Sequence, residues 1–387
     1  MHTLSPEERD LMTVVRGYVA NEVAPAAAAH EADHTFPLDT FRSLGKMDLL
    51  GLAMPEDVGG AGLPYRTYLL VLEELARGHA TLALAVSVHT LVMSVLDHGG
   101  TPEQRLAFLP PMVSGEHLGA YSLSEPEAGS DAASLACAAV RDGDGYRLTG
   151  TKAWVTHGGV ADRHVVFART GDEGAGGVSA FVVDEGTEGM TVLPPEQKMG
   201  LTGSPTTQVV YEDAYVGADR LLGGEEGQGF RQAMSGLDGG RLGIAAVATG
   251  VAQASLDAAL AYAKERRQFG RPIIEFQGLS FILADMATRI EAARALYKDA
   301  AGRRDHSLSL PPGERYDVGK ACSMAKLFCT DTAMAVTTDG VQVLGGAGYT
   351  RDFPVERYMR EAKIMQIFEG TNQIQRVVIG RRLAEGR

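Results

Sequence analysis

The fold is decided around one stretch of sequence, Ala120-Tyr121-Ser122-Leu123-Ser124-Glu125-Pro126-Glu127-Ala128-Gly129-Ser130-Asp131. It has the pattern of a strand end that enters a turn rich in hydroxyl groups, proline and glycine. Helical patterns precede this stretch, and short apolar or alternating runs follow it up to about residue 215. From residue 229 onward, helical periodicity returns. The order α, β, α predicts an α+β multidomain chain.

The region before this stretch is predicted to be all α-helical. Ser5 is a candidate N-cap, with Pro6 at the first helical position and acidic residues behind it. A loop rich in proline and glycine precedes a second helical run at residues 65–77. The most apolar segment, residues 80–96, contains several polar side chains and falls short of a comfortable membrane span, so we interpret it as a buried helix. In that helix, His89 is expected to be a core or pocket-wall histidine.

The region after the stretch is predicted to be a β domain. Its strand candidates are residues 146–148, 164–168 and 179–183, which are separated by turns rich in glycine and aspartate. Asp142-Gly143-Asp144-Gly145 is a strong hairpin-turn signal.

The last region is predicted to be a helical bundle. Long alanine-rich stretches run over residues 242–267 and 281–303, and a third helical stretch covers residues 322–344. Pro311-Pro312-Gly313 marks a turn between the second and the third.

The length of 387 residues exceeds the usual size of a single domain. We predict an N-terminal α-helical domain at residues 1–117, a middle β domain at residues 118–228 and a C-terminal helical-bundle domain at residues 229–387.

Composition excludes several classes of function. Forty-nine acidic and 36 basic residues give a formal charge of −13, a field that repels phosphate backbones, so nucleic acid is not an expected partner. Cys137, Cys322 and Cys329 lack the spacing of a disulfide framework or a zinc site, and no metal is predicted. The first ten residues lack the basic segment and apolar core of a secretory signal. We therefore predict a cytoplasmic protein that does not associate with membranes.

One carboxylate of the last region lies in the segment Ile367-Phe368-Glu369-Gly370-Thr371-Asn372. If Ile367 and Phe368 seal Glu369 from water, desolvation raises its pKa above the free value of about 4.3. That shift would give the carboxylate the basicity needed for proton abstraction. An ordinary glutamate at a helix terminus is the alternative, and the motif alone favours that alternative.

Two further segments could hold an aromatic cofactor. The turn within residues 120–131 offers hydroxyl groups and backbone donors that can bind a flavin ring and phosphates, although a solvated loop has the same composition. Lys152-Ala153-Trp154-Val155-Thr156-His157-Gly158-Gly159 contains the only tryptophan of the chain. An indole face suits an aromatic cofactor, and a core tryptophan is the alternative.

Taken together and in this order, the three segments resemble those of the acyl-CoA dehydrogenase family, in its short-chain, butyryl-like branch. The resemblance covers essentially the whole chain. Further segments similar to the family are Met54-Pro55-Glu56, Lys198-Met199-Gly200, Gly236-Leu237-Asp238-Gly239-Gly240-Arg241, Glu265-Arg266-Arg267-Gln268-Phe269-Gly270 and Gln342-Val343-Leu344-Gly345-Gly346. Each segment is weak alone, and the combination is specific.

The resemblance implies N-terminal helices, a middle β-barrel-like domain and a C-terminal four-helix bundle, in agreement with the order read from the residues. It also implies FAD at a subunit interface, and therefore a homotetramer or, less often, a homodimer. The residues implied around the flavin are Tyr121, Ser122, Leu123, Ser124, Trp154, Val155 and Thr156. Those implied to reach the FAD of a neighbouring subunit are Arg266, Phe269, Gln277, Gln342, Val343, Leu344, Gly345 and Gly346. Those implied to close over the flavin are Thr371, Asn372 and Gln373.

The resemblance also implies a substrate site. Ser130, which we assign to both the cofactor and the substrate, would approach the pantetheine, and Gly370 adjoins the base. Asp238 and Arg241 match a segment that contacts CoA, with a helix-start cap and a salt bridge as the alternative interpretation. Some relatives, isovaleryl-CoA dehydrogenase among them, place the catalytic glutamate in this segment. This chain has Gly240 there, which leaves Glu369 as the catalytic candidate.

The implied reaction is FAD-dependent α,β-dehydrogenation of a short-chain or branched acyl-CoA to a trans-2-enoyl thioester, with electron-transferring flavoprotein as acceptor. Two alternatives stay open: the same chemistry on an acyl-carrier-protein thioester in a biosynthetic pathway, and an oxygen-using acyl-CoA oxidase. Leu91, Val92, Met93, Val95 and Leu96 would favour short or branched chains if they line the acyl pocket, and core packing explains them equally well.

Overall fold

A computed structural model describes residues 4–386 of the chain, with Pro312 described by its backbone alone. The prediction about a secretory signal falls in part on residues 1–3, which lie outside the described residues. The N-terminal helices are α1 (Pro6–Tyr18), α2 (Ala27–Ala32), α3 (Leu38–Lys46), α4 (Tyr65–Gly78), α5 (Ala80–Gly99) and α6 (Pro102–Val113).

The starts of α1 and α4 follow from hydrogen bonds to their first N–H groups. The Glu8 N–H donates to the Ser5 hydroxyl at 3.1 Å, and the Ser5 N–H donates to the Glu8 carboxylate at 2.9 Å, which is the reciprocal arrangement of a capping box. The cap predicted at Ser5 is therefore confirmed. At α4, the N–H groups of Tyr65 and Arg66 donate to the carboxylate of Asp305, a residue of the C-terminal domain, at 2.8 and 3.1 Å.

The middle of the chain is a curled sheet, as predicted. Its strands are β1 (Gly119–Ser122), β2 (Ala138–Asp142), β3 (Gly145–Thr156), β4 (Arg163–Arg169), β5 (Val178–Asp184), β6 (Met190–Val192) and β7 (Thr206–Gly217). The order is β1-β4-β2-β3-β7-β6, with β5 paired to β4. Asp142 pairs with Gly145 across the predicted hairpin. The long antiparallel pair β3–β7 shifts register twice, and such bulges increase the local twist of a sheet.

The C-terminal part is the predicted helical bundle. Its helices are α7 (Gly229–Glu265), α8 (Gln277–Ser309), α9 (Gly319–Leu344), α10 (Val355–Met365) and α11 (Asn372–Ala384), and a small hairpin of β8 (Arg267–Gln268) and β9 (Arg271–Pro272) joins α7 to α8. Helix α7 begins at Gly229, where helical periodicity was predicted to return, and it contains most of the alanine-rich stretch predicted from residue 242. The early part of α7 is rich in glycine, which lowers intrinsic helix propensity.

Tertiary packing explains those glycines, because α7 lies very close to α5. A Cβ atom on Gly236 would lie 2.4 Å from the Val95 side chain, and one on Gly243 would lie 2.3 Å from the Ser87 hydroxyl. Both helices are long and apolar enough to cross a membrane by composition alone, yet 94% of the apolar window of α5 and 67% of that of α7 is buried inside the protein. The prediction of a buried helix at residues 80–96 is confirmed.

His89 in α5 is a satisfied core histidine, one of the two roles expected for it. Its Nε2–H donates to the Met112 carbonyl at 2.9 Å, and its Nδ1 accepts from the Gly119 N–H at 3.1 Å. Burial lowers its pKa to about 4, so the ring is neutral and ties β1 to the helices.

Candidate active site

Glu369 lies in the loop between α10 and α11 with a left-handed backbone. Its φ angle is +52°, and that of Gly370 is +85°. A side chain in this region of φ costs about 1–3 kcal/mol, and the surrounding structure has to maintain it. Both carboxylate oxygens of Glu369 are buried and have no hydrogen-bond partner among residues 4–386. A buried carboxylate that lacks donors is costly, so it indicates a functional group rather than a structural one.

The carboxylate lies where α5 and α7 meet, against Gly240 and Leu91. Burial raises its pKa to about 7, and the nearby positive charges of Lys326 and Arg241 oppose the rise. The direction of this pKa shift agrees with the sequence prediction. The expectation that Ile367 and Phe368 seal the carboxylate from water is only partly right. Ile367 is 48% exposed, so the helices bury the carboxylate and Ile367 does not.

Lys326 of α9 is a site residue that the sequence analysis missed. Its side chain is fully buried, and its Nζ donates to the Gly370 carbonyl at 2.9 Å and to Asn372 Oδ1 at 3.0 Å. Burial lowers its pKa to about 7, and Glu369 is the first of the groups that oppose this shift. A lysine within the apolar run of α9 was the available signal, because an unpaired lysine is almost never fully buried.

The predicted flavin turn follows β1, and its side chains point in different directions. The Tyr121 hydroxyl donates to the Ala233 carbonyl of α7 at 3.3 Å. Ser122 is buried, with its hydroxyl 3.4 Å from His164 Nδ1, and Leu123 is also buried. Ser124 is partly exposed, and its carbonyl accepts from the Ala153 N–H at 2.8 Å.

A buried ion pair holds this turn in place. Lys152 Nζ lies 2.7 Å from Glu125 Oε1 and donates to the Leu123 carbonyl at 3.1 Å. The Glu125 carboxylate also accepts from the N–H groups of Ala136 and Cys137 at 2.7 and 2.9 Å. The sequence analysis quoted Glu125 and Lys152 within motifs but gave them no role, since pairing between separate segments is invisible in sequence.

Trp154 lies beside the same turn, at the second bulge of β3. Its φ angle is +58° and it is 62% exposed, whereas Val155 is buried and Thr156 pairs with Thr206 of β7. The indole is therefore a surface group next to the predicted flavin turn, and the alternative of a core tryptophan is wrong.

Thr371 and Asn372, which follow Glu369 in the sequence, make hydrogen bonds within the chain. The Thr371 hydroxyl accepts from the Ile374 N–H and caps α11. The buried Asn372 amide accepts from Lys326 and donates to Thr330 and Asp331 of α9. Gln373 is exposed. These contacts place Thr371 and Asn372 in the support of the Glu369 turn.

The second predicted cofactor group lies at the far end of the bundle. Arg266 follows the last residue of α7, and Gln342–Gly346 stand at the end of α9, which runs parallel to α7. Phe269 is 93% exposed, and Gln277 starts α8 as an exposed residue. Helix α7 has 37 residues, which corresponds to about 55 Å, and Glu369 packs against its N-terminal third. Within one chain, the residues of the predicted flavin turn and the predicted cofactor residues at the end of the bundle are therefore far apart.

Asp238 and Arg241 form a salt bridge of 2.8 Å within α7. The alternative interpretation of this segment predicted a salt bridge, and that prediction is confirmed. The helix-start cap is wrong, because α7 begins at Gly229 and both residues lie inside it. Arg241 is buried, and its Nε has no hydrogen-bond partner within the described part of the chain. Burial raises the pKa of Asp238. Ser130 is exposed in the loop that follows β1.

Among residues 4–386, no group of three or more histidine, cysteine, aspartate or glutamate side chains is placed to hold a metal.

Comparison with protein families identifies the chain. Residues 5–116, 120–214 and 227–384 match the models of the N-terminal, middle and C-terminal domains of acyl-CoA dehydrogenase. The chain belongs to the acyl-CoA dehydrogenase family. It is an acyl-CoA dehydrogenase by class, a flavoprotein oxidoreductase of fatty acid metabolism, and the resemblance seen in the sequence is confirmed.

Individual relatives match this chain over nearly their whole length. The short-chain specific acyl-CoA dehydrogenase of Clostridium acetobutylicum is 42% identical over 97% of both chains. Butyryl-CoA dehydrogenase from Megasphaera elsdenii superposes with a TM-score of 0.94 at 38% identity, over 99% of this chain and 100% of that one. A chain from a structure of the electron transferring flavoprotein of Acidaminococcus fermentans superposes with a TM-score of 0.95 at 41% identity, over 99% of both chains.

Proposed function

We propose that this acyl-CoA dehydrogenase acts on short-chain or branched acyl-CoA in the cytoplasm, with FAD as cofactor, Glu369 as base and electron-transferring flavoprotein as acceptor. The observation that carries the proposal is the buried carboxylate of Glu369, which has no hydrogen-bond partner among the described residues and a pKa raised to about 7. A group that titrates near neutral pH combines an ionised form with enough basicity to remove a proton.

Glu369 would remove the α-proton of the thioester. Its backbone N–H donates to no backbone carbonyl within residues 4–386, so this group is available to polarise the thioester carbonyl and stabilise charge on that oxygen. The low-dielectric surroundings strengthen this interaction. FAD, when bound, supplies the hydride acceptor for the β-carbon.

The described residues fit a flavin. Next to the Tyr121–Ser124 turn, Trp154 presents an exposed indole from a strained backbone position. The ion pair of Glu125 with Lys152 fixes the same turn. When FAD is bound, this turn and Trp154 would hold its ring, which would accept the hydride while Glu369 accepts the α-proton.

The separation of the two cofactor groups supports an oligomer. Because Arg266, Phe269, Gln277 and Gln342–Gly346 lie far along the bundle from Glu369, they would serve the FAD of a neighbouring subunit, and a homotetramer satisfies this arrangement. The exposure of Phe269 supports the same conclusion, because so exposed a large apolar side chain often marks an interface.

The side chains of α5 support the proposed preference for short or branched acyl chains. Leu91 and Val95 are buried and point at the glycines of α7, close to the base. Bulky side chains here limit the depth available to an acyl chain. The names of the short-chain specific and butyryl-CoA relatives support the same choice.

The test is anaerobic addition of butyryl-CoA to the purified yellow protein while the visible flavin absorption is recorded. Prompt bleaching is expected, and a thioester series then maps chain length. A flavin-loaded protein that bleaches with carrier-protein thioesters and with no CoA thioester would overturn the choice of substrate. Peroxide in proportion to turnover in air would overturn the choice of acceptor.

A further inference from the structure

Lys326 is a buried cation that the proposed reaction does not use directly. It lies on α9 with no exposed surface, whereas Glu369 lies on the loop between α10 and α11. Removing an ammonium group from water is unfavourable unless its partners offset the lost hydration. The acceptors of Lys326 are the Gly370 carbonyl and the Asn372 side chain, which lie one and three residues after Glu369 in the chain.

These acceptors belong to a backbone that needs support. Glu369 and Gly370 are consecutive residues in the left-handed region. The Gly370 carbonyl accepts a second hydrogen bond from Gln375 Nε2 at 2.9 Å, and the Asn372 amide is bound on its other side by Thr330 and Asp331. Lys326 is thus the cation that ties this turn to α9.

The charge of Lys326 acts on Glu369 as well. The charged groups around its Nζ are Glu369 on the loop, Arg241 on α7 and Asp331 on α9. Within the described part of the chain, Lys326 and Arg241 are the cations that favour ionised Glu369. Arg241 already pairs with Asp238 at 2.8 Å, whereas the Lys326 bonds go to neutral acceptors, so its charge is not neutralised by a hydrogen-bonded carboxylate.

We propose that Lys326 is a positioning residue for the reaction: it fixes the turn that carries Glu369, and in its ammonium form it favours the ionised form of the Glu369 carboxylate. The proposal rests on the proposed role of Glu369 as base. Lys326 acts through Glu369 and the Gly370 carbonyl.

The experiment separates charge from hydrogen bonding with two variants. Lys326→Met removes both, and Lys326→Gln removes the charge while it retains an N–H donor. Lys363→Met is the matched control, because Lys363 is an exposed lysine on α10 that contacts Gln366. For each flavin-loaded protein, the rate of anaerobic flavin reduction by butyryl-CoA is measured from pH 5.5 to 9.

Both Lys326 variants are expected to move the acid limb of the rate profile upward by about one pH unit or more, since an opposite charge at short range shifts a carboxylate by that amount. At pH 6 each would then lose about a hundredfold or more relative to its own plateau, whereas the natural protein, with its acid limb near pH 7, loses about tenfold. The rate of flavin reduction on the high-pH plateau should be lower in Lys326→Met than in Lys326→Gln. Lys363→Met should keep the acid limb of the natural protein.

Two outcomes would overturn the proposal. In the first, both Lys326 variants bind flavin and keep the natural acid limb. In the second, neither Lys326→Met nor Lys326→Gln retains flavin, whereas Lys326→Arg and Lys363→Met both retain it. That result would assign Lys326 to the stability of the protein alone. Failure of the base assignment looks different, because a Glu369→Gln variant would then reduce its flavin at the natural rate.

Discussion

Gly240 of α7 and Glu369 of the α10–α11 loop approach so closely that a Cβ atom on Gly240 would lie 2.3 Å from Glu369 Oε2. No real Cβ contact is that short, so the absence of a side chain at position 240 is a condition for the observed position of the carboxylate. The chain therefore has room for one acidic side chain at this point, and it comes from the loop.

Gly240→Ala should displace the carboxylate and slow flavin reduction by about 10²-fold, since a shift of about 1 Å at a reacting group can have that effect. Gly243→Ala is the matched control on the same helix, because its Cβ would crowd the Ser87 hydroxyl instead of Glu369. Stopped-flow flavin reduction by butyryl-CoA compares the two. Equal rates in both variants would contradict the role of Gly240.

Glu369→Gln should retain the fold and the flavin but lose activity by orders of magnitude, because the amide cannot accept the α-proton. Glu369→Asp keeps a carboxylate but withdraws it by one methylene, so an intermediate rate is expected. Turnover and flavin content are measured together. Near-normal turnover in Glu369→Gln would refute the assignment of the base.

The rate of flavin reduction should rise with pH through a value near 7. Burial raises the pKa of Glu369 to about 7, and only the ionised form accepts a proton. The base is therefore active above this pKa and lost as the pH falls through it. The rate is measured at saturating butyryl-CoA from pH 5 to 9. An acid limb near the ordinary glutamate value of about 4.3 would show that the carboxylate is solvated.

Lys152→Met should destabilise the protein by about 3–5 kcal/mol, because it leaves the buried Glu125 carboxylate without its cation. Since this pair fixes the predicted flavin turn, flavin should also dissociate more readily. Arg303→Met is the control, because Arg303 and Asp299 form an exposed pair, for which little change is expected. Urea unfolding and flavin content are the measurements. Natural stability in Lys152→Met would mean that the ion pair is dispensable.

Phe269→Asp should weaken the proposed homotetramer and lower its FAD content, because it places a charge on an apolar side chain that is 93% exposed in one chain. Val14→Asp on α1 is the control, since Val14 is 60% exposed and belongs to neither predicted group of cofactor residues. Light scattering after gel filtration gives the mass. A tetramer with full flavin in Phe269→Asp would exclude this surface from the interface.

The sequence by itself determined the order of helices, sheet and bundle, and also the family. Periodicity and turn residues are local signals, which is why Ser5 and the Asp142–Gly145 hairpin could be predicted directly. The motif around Glu369 also stands in one short segment, so it could be recognised without coordinates.

Only the tertiary structure decided what surrounds that motif. The early glycines of α7 have low helix propensity, and the reason for them becomes visible only where α5 packs against that helix. Lys326 lies 43 residues from Glu369, and Glu125 lies 27 residues from Lys152. Burial and pairing of charges depend on which segments meet in space, and that information is not carried by any single stretch of the chain.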